Sequence, residues 1–560
     1  MMAYDLTLRA VLERAAKLFS KKEIITRDYS GTFRYTYSDF YRRTQRLANV
    51  LKDLGLNKGD RVATLAWNHH RHLELYLAVP VSGAVLHTLN LRLAPEQLVY
   101  IINHAEDKVI FVDKDLVPLL ESIQDQLPTL EYIVVMSDTK EIPPSTLKNQ
   151  LSYETLLTEA SEYFEFPDLS EWDPAAMCYT TATTGKPKGV VYTHRALVLH
   201  SFAESLPDSL NLHESDVVMP FVPMFHANAW GLPFVCTWLG ATQVFPGARP
   251  QAEDLCQLIQ DHKVTLAAGV PTIWMATYPL WESGKYDPSS LRELVNGGSA
   301  APMSMIKNYQ EKLGVSILHA YGMTETTPIV LVSRPKSTMG IMTAAEKYQL
   351  SAKQGLLVPG LEMKVVGEDD DEIPWNGKTM GELLLRGPWI AKEYYKDPIR
   401  TQEAFSNGWL RTGDIVTVDS EGYVSIADRS KDLIKSGGEW ISSLDLENTI
   451  MGHPAVLEAA VIAIPHPKWV ERPLACVVLK KEYEVKVGVG DILDYLTGKV
   501  PKLWLPDRVE FLDALPKTSV GKFYKQALRK QFADLMVVDS EGYGAKHASS
   551  PLLQVDVHLT

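Results

Sequence analysis

From residue 60 onward, short runs of β-branched and apolar residues alternate with stretches whose apolar positions recur at helical spacing. Residues 61–67 predict a strand and 71–81 a helix, and Leu93-Ala94-Pro95-Glu96 opens another helix with proline in its first turn. A strand is predicted over 109–112, a helix over 116–127 and a strand over 132–136, followed by a Pro- and Ser-containing surface excursion over 137–152. An apolar strand closes at 177–179, and a helix runs from His194 to about Leu206. The rhythm then resumes, with a strand over 216–221, a helix over 252–262, a strand over 265–270 and a helix from Pro271. The runs 291–295 and 316–321 lead into Asn296-Gly297-Gly298-Ser299 and Gly322-Met323-Thr324-Glu325-Thr326. Such alternation predicts an α/β chain: parallel-rich sheets covered by helices.

Between 358 and 418 the pattern shifts to short strands with frequent glycine, which predicts a β-rich subdomain. Its acidic run, Glu368-Asp369-Asp370-Asp371-Glu372, reads as a solvated turn. Beyond Asp428 lies a smaller α+β unit. It has a helix over 443–451, strands near 457–464 and 473–480, a helix over 489–499 and a last helix after Lys522. The tail 537–560 lacks periodicity and is expected to be disordered.

At 560 residues the chain is too long for one core, so two or more domains are expected. A formal net charge of −13 argues against a nucleic-acid partner. Cys178, Cys236, Cys256 and Cys476 are far apart and form no C-x-x-C, the pattern of buried thiols in a reducing compartment. Residues 1–19 mix charges with apolar positions, unlike a signal peptide. The most apolar segment, 229–245, is interrupted by Gly231, Pro233, Gly240 and Gln243 and is too short for a transmembrane span. A cytoplasmic protein is expected, with peripheral membrane contact open to it if its substrate is a lipid.

The densest polar chemistry is Tyr-Thr-Thr-Ala-Thr-Thr-Gly-Lys-Pro-Lys-Gly at 179–189. Glycine lets the backbone approach a ligand, and hydroxyl, amide and ammonium groups are the donors that polyphosphate oxygens require. It is not a Walker A loop, because Pro187 follows Lys186 where Ser or Thr would hold magnesium. Ligands of open α/β sheets lie beyond the carboxyl ends of strands, so the ends at Thr180, Asn296 and Tyr321 are expected to share one crevice.

The loop resembles the phosphate loop of the adenylate-forming superfamily, which takes in acyl-CoA synthetases, luciferases and peptide synthetase adenylation domains. Thr181 replaces the usual serine and Ala182 the first glycine. Six further stretches match in order. Pro223-Met224-Phe225-His226-Ala227-Asn228-Ala229-Trp230 resembles the acyl-site motif, Asn296-Gly297-Gly298-Ser299-Ala300 the loop against adenine, and Tyr321-Gly322-Met323-Thr324-Glu325-Thr326 the motif with the magnesium carboxylate. Trp409-Leu410-Arg411-Thr412-Gly413-Asp414 resembles the ribose motif, the stretch from Asp428 to Glu439 the interdomain hinge, and Pro516-Lys517-Thr518-Ser519-Val520-Gly521-Lys522 the segment with the catalytic lysine. Singly, Asp414 reads as a turn residue, Lys522 as a solvated cation, His226 as a core histidine, and Trp230 and Trp440 as packing aromatics. The ordered set of seven is what assigns them chemistry.

The resemblance implies an ATP site made by Thr180, Thr181, Thr183, Thr184, Gly185 and Lys188, with Ala227, Gly298, Ser299 and Ala300. To these it adds His319, Ala320, Tyr321, Gly322, Thr324 and Asp414, then Arg429, Lys431, Lys435 and Trp440. It implies catalysis by Lys522, Glu325, Thr180 and His226, magnesium on Thr180 and Glu325, the acyl group at His226 and Trp230, and CoA along Gly437 and Gly438. The domains implied are 1–428, a hinge at 429–432 turning on Lys431, and a mobile unit at 433–536.

The stretches around Phe225 and Ile434 are similar to those of medium- and long-chain fatty acyl-CoA synthetases of bacteria and archaea, and also to methylmercaptopropionate-CoA ligase. Val470-Glu471-Arg472-Pro473 departs from the Gly-Glu usual there. The activity implied is two-step: fatty acid and ATP give acyl-AMP and pyrophosphate, then CoA displaces AMP. A homodimer is implied as well. Adenylation with transfer to a carrier protein, a luciferase-type oxygenase and a non-catalytic nucleotide-binding regulator are the competing readings. The joint presence of Lys522, Asp414 and Glu325 opposes the last.

Overall fold

Runs such as Val109-Ile110-Phe111-Val112 are apolar on both faces, and they pair in the interior of a parallel sheet. The computed structural model describes residues 1–180, 186–436, 439–518, 522–533 and 535. Thr181, Thr183, Thr184 and Gly185, the glycines Gly437 and Gly438, and the tail 537–560 lie outside the described residues.

Among the described residues the strands form four sheets. A seven-stranded sheet runs Gln150–Ser152, Tyr132–Met136, Asp107–Asp113, Arg61–Leu65, Val85–Thr88, Pro174–Tyr179 and Gly189–Thr193. Its neighbours are parallel except for the last pair, on either side of residues 180–188, which is antiparallel. In the nine-stranded sheet the parallel centre is Glu23–Asp28, Thr242–Phe245, Val217–Pro220, Leu266–Gly269, Glu293–Asn296 and Ser316–Gly322, with antiparallel strands at both edges. Helices bury apolar faces on both sheets. Ala252–His262 and Pro271–Glu282 cover one face of the larger sheet. His194–Ser205 and Leu232–Leu239 cover the other, together with an antiparallel sheet of Glu362–Val366, Gly381–Arg386, Phe405–Ser406, Trp409–Val418 and Val424–Arg429.

The last sheet holds Glu439–Ile441, Ile434–Ser436, Val470–Leu479, Val456–His466 and Arg508–Phe511, with helices Ser443–Met451, Val489–Leu496 and Lys525–Gln531. Its apolar clusters lie on both faces of the long hairpin. The architecture is that of the expected class: a large parallel-rich α/β part, a β-rich part and a small α+β part.

Three local expectations are corrected. The helix expected over 116–127 is a short helix Val117–Glu121 and a separate 3₁₀ turn Gln124–Gln126. Ser122 Oγ donates to Leu119 O at 2.7 Å, and Pro128 disfavours helical backbone at Leu127. The excursion 137–152 ends in the edge strand Gln150–Ser152, too short to show a period. The helix begun at Val489 stops at Leu496 because Gly498 turns at φ +78°.

Candidate active site

The strands Pro174–Tyr179, Glu293–Asn296 and Ser316–Gly322 end around one cavity of about 490 Å³. Thr180, Gly297, Gly298, Ala320, Tyr321 and Gly322 line it from these ends. Glycine is required at two of them by close approach. A methyl group on Gly322 would stand 2.0 Å from Pro328 O, and one on Gly297 would stand 2.9 Å from the Trp230 ring and 3.0 Å from Ala320 O. Trp230 therefore lies against the glycine loop.

Trp230 reaches that place through an unusual backbone. Ala227, Asn228, Ala229 and Trp230 have φ of 42°, 51°, 50° and 57°, and Gly231 follows at 84°. Left-handed conformation costs about 1–2 kcal/mol per non-glycine residue. Such strain persists only where surroundings over-determine it. Here Asn68 donates to Pro220 O and Val222 O at 2.9 and 2.8 Å and accepts from Met224 N–H at 2.7 Å, while Cys178 Sγ donates to Asn228 Oδ1 at 3.1 Å.

Cations dominate the mouth. Lys188, Arg400, Arg429, Lys431 and Lys522 line the cavity with Glu325 and Asp432. Burial and the neighbouring Arg429 push the Lys522 ammonium down to about 8, against the opposing pull of Asp414 and Glu325. Burial also lowers Lys188 and Lys431. Lysines desolvated in this way favour an anion between them. Glu325 lies in the 3₁₀ turn Thr324–Thr326, 4% exposed, and accepts the Tyr394 hydroxyl at 2.7 Å. Lys188 Nζ donates to that hydroxyl at 2.8 Å and stands 3.9 Å from Glu325. Asp414 is buried outside the cavity lining, accepting from Tyr321 Oη and pairing with Arg429 Nε at 2.5 Å. Burial and Lys522 push His226 down to about 3, so it stands as neutral imidazole.

This geometry combines a cationic crevice beyond parallel strand ends with a lysine delivered by the C-terminal unit. Two family models match the chain: AMP-binding enzyme over residues 12–395, and AMP-binding enzyme C-terminal domain over 445–522. The chain belongs to the AMP-binding enzyme family. It is 49% identical to a long-chain-fatty-acid–CoA ligase of Thermus thermophilus over 95% of this chain and 96% of that one. It is 42% identical to a 3-methylmercaptopropionyl-CoA ligase of Ruegeria pomeroyi, over 96% and 99%. A crystal structure of an anthranilate CoA ligase in complex with anthranoyl-AMP superposes with a TM-score of 0.84, at 28% identity, over 95% of this chain and 98% of that one. The protein is an AMP-forming acid–thiol ligase.

For this AMP-binding enzyme the cavity brings together Thr180, Lys188, His226, Ala227, Trp230, Gly298, Ala320, Tyr321, Gly322, Thr324, Glu325, Arg429, Lys431 and Lys522. It does not bring in every residue named from the sequence. Ser299 is exposed and Ala300 half-buried beside it, outside the lining. His319, on the strand Ser316–Gly322, is buried outside the lining, its Nδ1 3.1 Å from Ala352 O. Lys435 and Trp440 pair with each other on the hairpin of the small sheet, the ammonium 4.2 Å from the ring centroid, outside the cavity lining. Four phosphate-loop residues and both glycines of the expected CoA path lie outside the described residues.

The sequence reading missed Tyr394, which holds Glu325, and Arg400, which donates to Lys186 O at 2.6 Å. It also missed Glu204, which lines the cavity. His200 and Glu204 at i,i+4 on an apolar helix were the one signal available. The departure at 470–473 has a structural content. Val470 adopts φ +72°, a conformation that glycine takes freely, and is 69% exposed. Arg472 is buried and donates to Ser436 Oγ, Leu503 O and Leu505 O at 3.0, 2.6 and 2.9 Å. It also pairs with Asp507, so this segment braces the small sheet. All four cysteines are buried and free. Among the described residues no helix is long and apolar enough to cross a membrane.

Proposed function

We propose that this ligase activates a medium- or long-chain fatty acid with ATP and passes the acyl group to CoA. Sequence identity to the Thermus ligase over nearly the whole length supports the acid class. The single observation that carries the mechanism is Lys522. It comes from the C-terminal unit, yet it lines the cavity, and its Cε would lie 3.5 Å from a methyl group on Gly298.

In the first step a carboxylate oxygen forms a bond to the α-phosphorus, the bond to the bridging oxygen breaks, and pyrophosphate leaves. Lys522 brings a compact charge to the carboxylate and α-phosphate, where negative charge builds up. Asp414 keeps lone pairs beyond those used by Tyr321 and Arg429, enough to accept from ribose hydroxyls. In the second step the CoA thiol gives up its proton to solvent, its sulfur bonds to the acyl carbon, the bond from that carbon to the AMP oxygen breaks, and AMP departs. Glu325 and Thr180 offer one carboxylate and a hydroxyl, an oxygen donor set that suits magnesium keeping water and substrate phosphate as its other ligands. Among the described residues no cluster of three or more His, Cys, Asp or Glu competes as a metal site. When bound, the ion supplies charge to the phosphate oxygens. We further propose a hinge at 429–432, a CoA path along Gly437 and Gly438, and a cytoplasmic homodimer that meets membranes only to collect lipid substrate. The free thiols support a reducing compartment.

The testing experiment is a panel of acids from C3 to C18, scored by pyrophosphate release with and without CoA. Sustained turnover only with CoA is expected, strongest for medium or long chains. Equal turnover without CoA would sink the reading.

Trp230→Ala is expected to change kcat/KM across the acid series while KM for ATP stays within about twofold. Equal loss on acetate and dodecanoate with matching unfolding would make Trp230 a packing residue. A pH dependence follows from Lys522. Its charge is lost as pH rises through about 8 in the free enzyme, faced by Arg429, Asp414 and Glu325. Since kcat/KM reports the free enzyme, kcat/KM for ATP in pyrophosphate exchange should fall about tenfold per unit above that value. In Lys522→Arg this limb should vanish from the accessible range. A wild-type profile flat on the alkaline side would remove Lys522 from the charge-bearing role.

A further inference from the structure

The cavity wall that Trp230 shares is not made of hydrocarbon alone. Leu210, Val295 and Ile329 form apolar wall there, yet Glu204 lines the same space with its side chain 1% exposed. Glu204 lies on His194–Ser205, four residues after His200, and thus on the same face of the helix. The imidazole is fixed in one tautomer. His200 Nε2 accepts the Ile329 N–H at 3.0 Å, so the neutral ring carries its proton on Nδ1. That Nδ1 stands 3.5 Å from Glu204 Oε2, and neither atom has a hydrogen-bond partner. Burial keeps both groups neutral, holding the carboxyl well above its ordinary range and the imidazole down at about 3.

Gly231 borders this pair. A methyl group there would stand 2.5 Å from His200 Cε1 and 2.9 Å from Glu204 Oε2, so glycine is what lets the chain pass so close. A carboxyl and an imidazole N–H left unpaired in an apolar wall disfavour an occupant made only of methylenes. A site built to hydrogen-bond a hydroxyl rejects the analogue that lacks it by far more than a methylene pocket discriminates by size.

We propose that Glu204 and His200 read an oxygen on the acyl chain, and that the substrate is a carboxylic acid bearing a hydroxyl along its tail. Glu204 lines the cavity and His200 stands buried behind it, so a substrate hydroxyl meets the Glu204 carboxyl, which the Nδ1–H of His200 backs at 3.5 Å. Glu204 is then a specificity-determining residue in the wall of the same cavity that Lys522 and Glu325 line. This inference rests on the acid-activating reading and narrows it.

The test is kcat/KM of the full-length enzyme, with ATP and CoA, for decanoate and for decanoates carrying one hydroxyl at successive positions out to the chain end. At least one positional isomer should exceed decanoate about tenfold or more. Glu204→Leu should reverse the preference, and Glu204→Gln, which keeps a donor and an acceptor, should retain it. KM for ATP and the melting temperature should hold in Glu204→Leu, since an apolar side chain of similar size replaces a lone buried carboxyl. Wild-type enzyme using decanoate as well as every hydroxylated isomer would overturn the proposal, as would a Leu variant with the wild-type ratio. A lowered melting temperature with equal loss on all acids would make Glu204 structural and overturn it too. Failure of every acid, hydroxylated or not, would instead strike the acid-activating reading and take this inference with it.

Discussion

Lys522→Ala is expected to abolish pyrophosphate release while still converting supplied acyl-AMP and CoA into acyl-CoA. Removing a preorganised charge from a desolvated site costs on the order of 10²–10³ in rate. Adenylation is the step that brings the carboxylate onto the α-phosphate, which is where the proposed mechanism uses the Lys522 charge. The partner experiment is Lys431→Pro, where the opposite loss is expected. Lys431 sits in a tight turn in which Arg429 O accepts from Asp432 N–H and Leu433 N–H at 2.8 and 2.9 Å. The turn is anchored on both sides, Asp428 accepting from Ser443 N–H at 2.8 Å and Asp432 from Arg529 at 2.5 Å. Proline fixes φ near −65° and restricts Ser430 before it, so a hinge at this point cannot absorb a large rotation. With Lys522 already in the cavity, a blocked hinge holds the adenylating arrangement. Lys431→Pro should therefore release pyrophosphate in a single turnover and fail to form thioester. Each half-reaction is assayed separately in each folded variant. Both variants losing both halves in equal proportion would remove domain alternation from this enzyme.

Glu325→Gln should lower adenylation by about 10² or more and raise the magnesium needed for half-maximal rate. Glutamine has the same shape, and its carbonyl still accepts the Tyr394 hydroxyl that now holds Glu325. The melting temperature should stay within a few degrees of wild type, which separates lost charge from lost fold. Full activity of the variant at limiting magnesium would end the metal assignment.

The local pattern carried much of the fold. The strand–helix alternation in 61–136 and 216–322 is visible because parallel strands buried on both faces need unbroken apolar runs. Helix Ser443–Met451 sits where its period placed it. Where competition is local the pattern was weaker. The stretch 116–127 broke into two short pieces, and the edge strand Gln150–Ser152 exists only because Tyr132–Met136 was there to pair with. Many of the residues placed in the cavity were legible as ordered motifs near strand ends, whereas Arg400 and Glu204 belong to none of those motifs.

By itself the sequence determined the parallel α/β class, the order of the chemistry-bearing stretches and the residue types offered to a polyphosphate and a carboxylate. Tertiary structure alone decided which of those residues meet. It set Lys522 against Gly298 across the two parts of the chain, capped Glu325 with Tyr394, and left Lys435 and Trp440 stacked away from the cavity. It also wound residues 227–231 left-handed and placed Glu204 in the cavity wall. The physical reason is range. Periodicity reports which face of one element is buried, whereas burial of a charge, strain in a turn and the end of a pocket are set by groups that lie far apart in the chain.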